Sequence, residues 1–226
     1  MLAIITARGG SKRIPRKNIK EFYGKPIINY SIEAALASHL FDEVMVSTED
    51  EEIASVAQQY GAKVPFLRSK EMADDFAVTY DVLREVIQGY EKCGRTFDTL
   101  CCLYPTAPFI TADILRDAYD AFRTAEADEL IPVVRFSYPP QRAFVLREGY
   151  LKYRWPENRN KRSQDLEPFY HDVGQFYFLR TDALFIENPE ERKTAAFIMD
   201  EMHVQDIDNP EDWAVAELKY RLCQEL

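Results

Sequence analysis

Two groups of residues in this chain have types and spacings that could do chemistry. The first is the run Ala7-Arg8-Gly9-Gly10-Ser11-Lys12-Arg13-Ile14-Pro15-Arg16-Lys17-Asn18, which follows directly on an apolar stretch from Leu2 to Ile5. Glycine at positions 9 and 10 leaves the backbone free to adopt positive φ and to bring its N–H groups close to an anion. Seven of the 28 Lys and Arg residues fall in the first 25 positions, with one of the 38 acids, Glu21. Cations gathered in this way, in a chain of net charge −10, point to a local site for a polyanion such as a triphosphate. The competing reading is a solvated basic tail; the strand signal before the run and the helix signal after it argue against a tail. The second group is Asp206-Ile207-Asp208. Residues i and i+2 of a strand share a face, so both carboxylates can reach one ion. A hard cation such as Mg²⁺ takes one or two carboxylates and fills its other positions with phosphate oxygens and water. Capping of the next helix by Asp208 accounts for the same residues equally well.

The elements that must position these groups alternate between strand and helix periods. Leu2–Ile5 reads as a buried strand, and Gly24-Lys25-Pro26 as a helix start with proline in the first turn and Ile28, Ile32, Ala35 and Leu36 following at helical spacing. Val44–Val46 is a second strand. Thr48-x-x-Glu51 reads as a capping box for a helix carrying Ile53, Val56, Ala57 and Tyr60 and ending at Gly61. A short strand is expected over Lys63–Phe66, a helix over Tyr80–Tyr90, a nearly all-apolar strand over Thr99–Tyr104, a helix capped by Thr111, and a strand over Leu130–Val134. From about 136 to 172 the rhythm breaks into prolines, aromatics and cations, read as an insertion of short strands and loops in a single 226-residue domain. Strands resume at Gly174–Leu179 and Met202–Ile207. Asn209-Pro210-Glu211-Asp212 then opens a helix expected to bury Trp213, Ala216, Leu218 and Tyr220. The succession implies an α/β fold, doubly wound, with a mostly parallel sheet and helices on both faces.

Composition narrows the classes. Net charge −10 disfavours general binding to nucleic acid or to an anionic membrane, and no apolar run approaches the roughly 20 residues that span a bilayer. Cys93, Cys101, Cys102 and Cys223 lack metal-ligand spacing and read as reduced thiols of a cytoplasmic protein, with Cys101 and Cys102 on opposite faces of their strand. There is no Gly-x-x-x-x-Gly-Lys-Ser/Thr and no Gly-x-Gly-x-x-Gly, which disfavours a P-loop NTPase and a nicotinamide dehydrogenase.

The run from Ala7 to Asn18, ending in Gly24-Lys25-Pro26, resembles the cytidylyltransferases that activate nonulosonic acids, the sialic acid synthetase family. Further elements carry the resemblance: Leu103-Tyr104-Pro105-Thr106-Ala107-Pro108, Arg162-Ser163-Gln164-Asp165-Leu166, Tyr170-His171-Asp172-Val173-Gly174-Gln175-Phe176-Tyr177, and the Asp206/Asp208 pair. The His171 version of the third element looks like the branch that activates pseudaminic acid. The resemblance implies a nucleotidyltransferase-like Rossmann-type fold and transfer of CMP from CTP to an acidic nine-carbon sugar, with release of pyrophosphate. It implies Arg8, Lys17 and Asp208 at the chemistry, and Ala7, Arg8, Gly9, Gly10, Ser11, Lys17, Asn18, Arg68, Ala77, Thr79 and Tyr104 around the nucleotide. Many relatives carry Gln where this chain has Tyr104. A helix-capping role for Thr79 is compatible with a base contact. Arg162, Gln164, Asp165, His171, Asp172 and Gln175 are implied on the sugar side, with Arg162 suited to a carboxylate through two parallel charge-assisted hydrogen bonds. Taken alone, His171 fits a structural hydrogen-bonding role. Asp206 and Asp208 are implied as Mg²⁺ ligands, and a homodimer in which the insertion reaches the partner's site is implied as the assembly; the Phe136–Pro156 segment is equally compatible with packing on its own subunit. Sialic acid, legionaminic acid and 3-deoxy-manno-octulosonic acid remain alternative acceptors, and a non-catalytic nucleotide-binding regulator is the alternative from another class.

Overall fold

Alternation along β1 (Leu2–Thr6) divides the interior in two: Ala3 and Ile5 enter one apolar core, and Leu2 and Ile4 the other. The computed structural model describes residues 1–74 and 77–225; Asp75 and Phe76, inside the stretch between Arg68 and Thr79, and Leu226 lie outside the described residues. The same division recurs on β5 (Thr99–Leu103), where Cys101 and Leu103 face one core and Leu100 and Cys102 the other. Strands buried on both faces have no reason to alternate polar residues, which is why they read as continuous apolar runs.

β1 is flanked in parallel by β4 (Glu43–Ser47) and β5. Beyond β5 come β10 (Phe176–Arg180), β6 (Glu129–Arg135) and β11 (Thr194–Ile198), with β9 (Tyr170–Asp172) on the end of β6. Helices α1 (Ile28–Ser38), α2 (Glu51–Gln59) and α4 (Ala112–Thr124) supply one core, and α3 (Thr79–Lys92) the other. This is the doubly wound, mostly parallel α/β arrangement expected. Among the described residues β4, β1, β5, β6 and β11 run one way, and β10 and β9 run against them, which makes the sheet mixed. The insertion leaves from the C-terminal end of β6 and the chain returns at that same end, so β10 must run antiparallel to its neighbours.

Other expectations are corrected locally. Lys25–Pro26 is not a helix start but the strand β3, paired with β2 (Glu21–Phe22) across a turn in which Tyr23 and Gly24 have φ of 47° and 83°. Two successive residues with positive φ make the tight hairpin turn, and an edge strand tolerates Pro26. Lys63–Phe66 makes a single bridge to Met45, since Pro65 has no N–H to extend a ladder. α2 is capped by Asp50, whose Oδ1 accepts from the N–H groups of Glu52 and Ile53 at 3.0 Å, whereas Thr48 Oγ1 accepts from Asp50 N–H. Thr79 is the first helical residue of α3, preceded by Val78 at the cap. Met202–Ile207 is not a strand: Asp200 Oδ1 accepts from Met202 N–H and turns the chain into a short 3₁₀ helix.

The last helix, α5 (Pro210–Glu225), docks Trp213 and Ala216 against Ile14, Phe22, Ile27, Tyr30 and Phe109, with Ile207 in the same cluster. Leu218, expected inside, is half exposed because only a narrow stripe of α5 meets this cluster. Phe22 is ringed by Tyr30, Trp213 and Tyr220 at centroid distances of 5.4–5.6 Å, mostly edge to face. Residues 136–172 hold a separate hairpin, β7 (Phe144–Arg147) and β8 (Tyr150–Tyr153), which leaves Leu146 71% and Leu151 66% exposed. Among the described residues, no helix is long and apolar enough to cross a membrane.

Candidate active site

Parallel strands β4, β1 and β5 end side by side, the position at which open α/β sheets take ligands. A cavity of about 540 Å³ opens there. Arg8, Ser11, Lys12, Arg13, Lys17 and Asn18 line it from the loop after β1, and Arg68, Ala77, Thr79 and Tyr104 line it from the other elements. Asp208 also contributes to its wall. Four cations from one loop beside a fifth, Arg68, give the cavity the electrostatics of a polyphosphate site.

Support for the basic loop comes from β4. Ala7 N–H donates to Ser47 O (3.0 Å) and Gly9 N–H to Glu49 Oε1 (2.7 Å). Asn18, buried, donates from Nδ2 to Arg8 O at 2.8 Å and closes the loop on itself. Gly9 and Gly10 do not have the positive φ expected of them. Gly9 is required for a different reason: a Cβ there would stand 2.6 Å from Asp50 Oδ2. Its N–H is directed at a carboxylate of the protein rather than held for a ligand. Ala7, Gly9 and Gly10 do not line the cavity. Arg16, counted among the loop cations, turns away through a positive φ of 56° and pairs with Asp50 and Glu52 at the start of α2.

Arg68 is buried, donating from Nε to Ser47 Oγ (3.0 Å) and from Nη2 to Ser47 O (2.6 Å). Burial lowers its pKa, opposed by Glu49 and Glu85. Guanidinium remains charged throughout the physiological range, so this is a fixed buried cation. Thr79 Oγ1 lies 3.2 Å from the Tyr104 hydroxyl. Lys17 is directed across to the chain before α5: its Nζ donates to Ile207 O at 2.5 Å and lies 3.8 Å from Asp208 Oδ1. Burial lowers the Lys17 pKa, and Asp208 and Asp206 pull it back.

Asp206 and Asp208 lie in chain outside the sheet, so their pairing does not come from strand alternation. Burial raises the Asp206 pKa, Asp208 raises it further, and Lys17 opposes both. Asp208 does not cap α5. Asn209 Oδ1 accepts from Asp212 N–H (2.9 Å), while Asp212 Oδ2 accepts from the N–H groups of Asp208 and Asn209, a reciprocal cap. The Asp208 side chain is thus left to face the cavity, where Arg13 holds Oδ1 at 3.0 Å. Among the described residues, no group of three or more His, Cys, Asp or Glu is arranged to hold a metal. Two mutually repelling carboxylates beside a polyphosphate-sized cavity fit a cation that completes its shell with substrate oxygens and water.

The residues implied on the sugar side do not converge. His171 lines a second cavity of about 360 Å³ together with Asp206, Phe136 and Lys219, and its ring lies 4.8 Å from that of Phe136. Asp172 has both oxygens engaged, Oδ1 by Gly174 N–H (2.8 Å) and Oδ2 by the Tyr177 hydroxyl (2.7 Å). Gln175 is 1% exposed and donates from Nε2 to His203 O. Arg162 spends its fork on Asp165, at 2.8 and 3.1 Å, and both stand with Gln164 on the exposed insertion, in the lining of neither cavity. Sequence reasoning missed the supports Ser47, Glu49 and Asp50, which end and immediately follow β4 at the ligand-binding edge, a signal that could have found them. Tyr177 stood in the quoted Tyr170–Tyr177 motif but was assigned no role.

Residues 2–201 match the family model described as Cytidylyltransferase. Pseudaminic acid cytidylyltransferase of Campylobacter jejuni is 45% identical over 229 residues, covering 99% of this chain and 97% of the relative. CMP-N,N'-diacetyllegionaminic acid synthase of Legionella pneumophila is 36% identical, covering 100% and 98%. Among solved structures, CMP:2-keto-3-deoxy-manno-octonic acid synthetase complexed with CTP superposes with a TM-score of 0.69 at 21% identity, covering 100% of this chain and 99% of the other, a likeness of fold. A cation-lined cavity at the sheet edge and near-complete coverage by these relatives lead to one assignment: the chain belongs to the cytidylyltransferase family.

Proposed function

We propose that the protein transfers CMP from CTP to an acidic nine-carbon sugar, pseudaminic acid, and releases pyrophosphate. The anomeric hydroxyl oxygen forms a bond to the α-phosphorus as the bond from that phosphorus to the bridging oxygen breaks; pyrophosphate carries the electron pair away, and the hydroxyl proton is released to solvent. The observation that carries this reading is the cavity of about 540 Å³ in which the loop cations and Arg68 stand with Asp208. The 45% identity to a pseudaminic acid cytidylyltransferase supports the choice of sugar.

Chemistry of this type asks the protein mainly to position substrates and stabilise developing charge. Arg8, Ser11, Lys12 and Lys17 bind the triphosphate, and the Arg68 guanidinium, rigid on Ser47, adds a fixed positive charge. Ala77, Thr79 and Tyr104 bound the nucleotide end. Asp206 and Asp208 are the residues that would hold Mg²⁺, which supplies neutralisation of the triphosphate and polarisation of its oxygens when bound. Arg13 and Lys17 keep Asp208 in place. The assembly proposed is a homodimer. The exposed apolar faces of the β7–β8 hairpin support it, and in it the insertion bearing Arg162, Gln164 and Asp165 reaches the partner's sugar site. Free cysteines, two of them buried, support a reducing, cytoplasmic setting.

Pyrophosphate release with CTP, Mg²⁺ and a panel of pseudaminic, sialic, legionaminic and 3-deoxy-manno-octulosonic acids tests the reading. Turnover with pseudaminic acid is expected. Turnover with a different panel member corrects the sugar, and none with any of them refutes the catalytic assignment.

A further inference from the structure

Tyr104 is the residue at which the nucleotide cavity meets the segment expected to face the sugar. Its hydroxyl is 3.2 Å from Thr79 Oγ1 at the start of α3, and its N–H donates to Gln175 O at 2.8 Å. Its ring meets that of Tyr177, on β10, edge to face at a centroid distance of 5.7 Å. The Tyr177 hydroxyl donates to Asp172 Oδ2 on β9, and the other oxygen of Asp172 pins Gly174 N–H. Gly174 sits at φ 61°, and a Cβ there would lie 3.8 Å from the Tyr104 ring. A continuous path therefore runs Thr79–Tyr104–Tyr177–Asp172–Gly174, joining α3, β10 and β9 through the loop after β5.

Both oxygens of Asp172 are occupied inside this path, so its carboxylate is committed to the protein. Burial raises the pKa of both phenols, so each stays a neutral hydroxyl that can donate and accept. Low-dielectric surroundings strengthen such contacts and make an unpaired member costly. At position 104 this chain thus has an aromatic ring and a hydroxyl that touch both sides of the site.

We propose that Tyr104 and Tyr177 are positioning residues that couple occupancy of the nucleotide cavity to the order of the His171–Gln175 segment. CTP against Thr79 and Tyr104 fixes the Tyr104 hydroxyl. That holds Tyr177 on Asp172, and Asp172 holds the turn at Gly174. Site order is thereby transmitted to the acceptor side before the sugar arrives, a coupling of the kind that links two ligands through one set of contacts. The inference rests on the cytidylyltransferase reading for its ligand, CTP, and needs no assumption about which sugar accepts.

Hydrogen–deuterium exchange of the 170–175 backbone with and without CTP tests it, in wild type and in Tyr104→Phe and Tyr177→Phe. These variants keep the rings and delete single hydroxyls. CTP affinity is measured alongside by calorimetry. The expected result is that CTP slows exchange of 170–175 several-fold in wild type. At saturating CTP each variant loses most of that protection, and Tyr177→Phe, whose residue does not line the nucleotide cavity, keeps its CTP Kd within about 3-fold. The double variant should be no worse than either single, because both break one path. Equal CTP-induced protection in all four proteins overturns the coupling and leaves the cytidylyltransferase reading standing. Additive losses in the double variant overturn the single path. Failure of wild type to bind CTP overturns both.

Discussion

Gly9→Ala isolates what holds the basic loop in place. The new methyl would stand 2.6 Å from Asp50 Oδ2 and 3.0 Å from Asp50 Cβ, so either the loop or Asp50 must move. Gly9 N–H is held by Glu49 at 2.7 Å. Asp50 caps α2 at 3.0 Å and pairs with Arg16 at 2.5 and 3.1 Å. Losing an Asp cap costs about 1 kcal/mol, and a partly exposed ion pair adds up to about 1 kcal/mol. The expected destabilisation is about 1–2 kcal/mol, a fall in Tm of about 2–8 °C for a chain of this length. The Arg16 hydrogen bond, ahead of the other causes, lowers the Asp50 pKa from the ordinary 3.8 to about 2. A depressed carboxyl pKa contributes stability that is present above the ordinary value and lost as pH falls through the folded one. The Gly9→Ala deficit should therefore be full at pH 5–7 and shrink as pH drops from about 4 toward 2. Thermal and urea unfolding by circular dichroism across that range measures it, with Asp50→Ala as the matched control and the double variant less than additive. A Gly9→Ala protein melting within about 1 °C of wild type at pH 7, or a deficit that widens in acid, would refute the reasoning.

Lys17→Ala should lower kcat/KM by about 10²-fold or more, roughly 3 kcal/mol of transition-state stabilisation, in a protein whose circular dichroism is unchanged. Asp208→Asn should abolish turnover, whereas Asp206→Asn should leave a weaker enzyme with a higher Mg²⁺ requirement; full wild-type activity in excess chelator contradicts both. Because burial and Asp208 disfavour the Asp206 carboxylate, Asp206→Asn should melt slightly above wild type at pH 7 in the absence of metal and substrate, and a lower Tm counts against that. Pseudaminic acid should turn over well ahead of sialic acid under equal conditions, since buried polar groups left unpaired reject the wrong isomer strongly. His171→Ala should raise KM for the sugar more than for CTP, and equal changes would remove His171 from the sugar side.

Much of the cavity was legible because it is written locally. Arg8, Ser11, Lys17 and Asn18 lie in one run, and Arg68, Ala77, Thr79 and Tyr104 lie in two short motifs. What could not be read depended on which strands become neighbours. Glu49 and Asp50 support the loop only because β4 pairs with β1 in a register that puts Ser47 opposite Thr6. The direction of β10 follows from where the insertion returns, and β11 hid behind the weak apolar signal of Thr194, Ala195 and Ala196. Asp206 and Asp208 were found by type and spacing, but on a strand that does not form. Arg162 had a carboxylate partner three residues away, Asp165, and took it.

The hydrogen bond from Lys17 to Ile207 joins residues 190 positions apart and has a consequence for how the enzyme comes into being. At roughly 5–20 residues per second, the ribosome makes the two halves of this contact about 10–40 s apart. Through that interval Arg13 and Lys17 exist without Asp208, which answers them, and Phe22 and Tyr30 wait for Trp213 with their aromatic faces uncovered. A nascent chain should therefore bind nucleotide last, after α5 has left the exit tunnel and docked, and the uncovered aromatic surface is the stretch on which a chaperone would act. Stalled chains ending before residue 207, pulled down with a CTP resin, should be retained only weakly, and full-length released chains strongly.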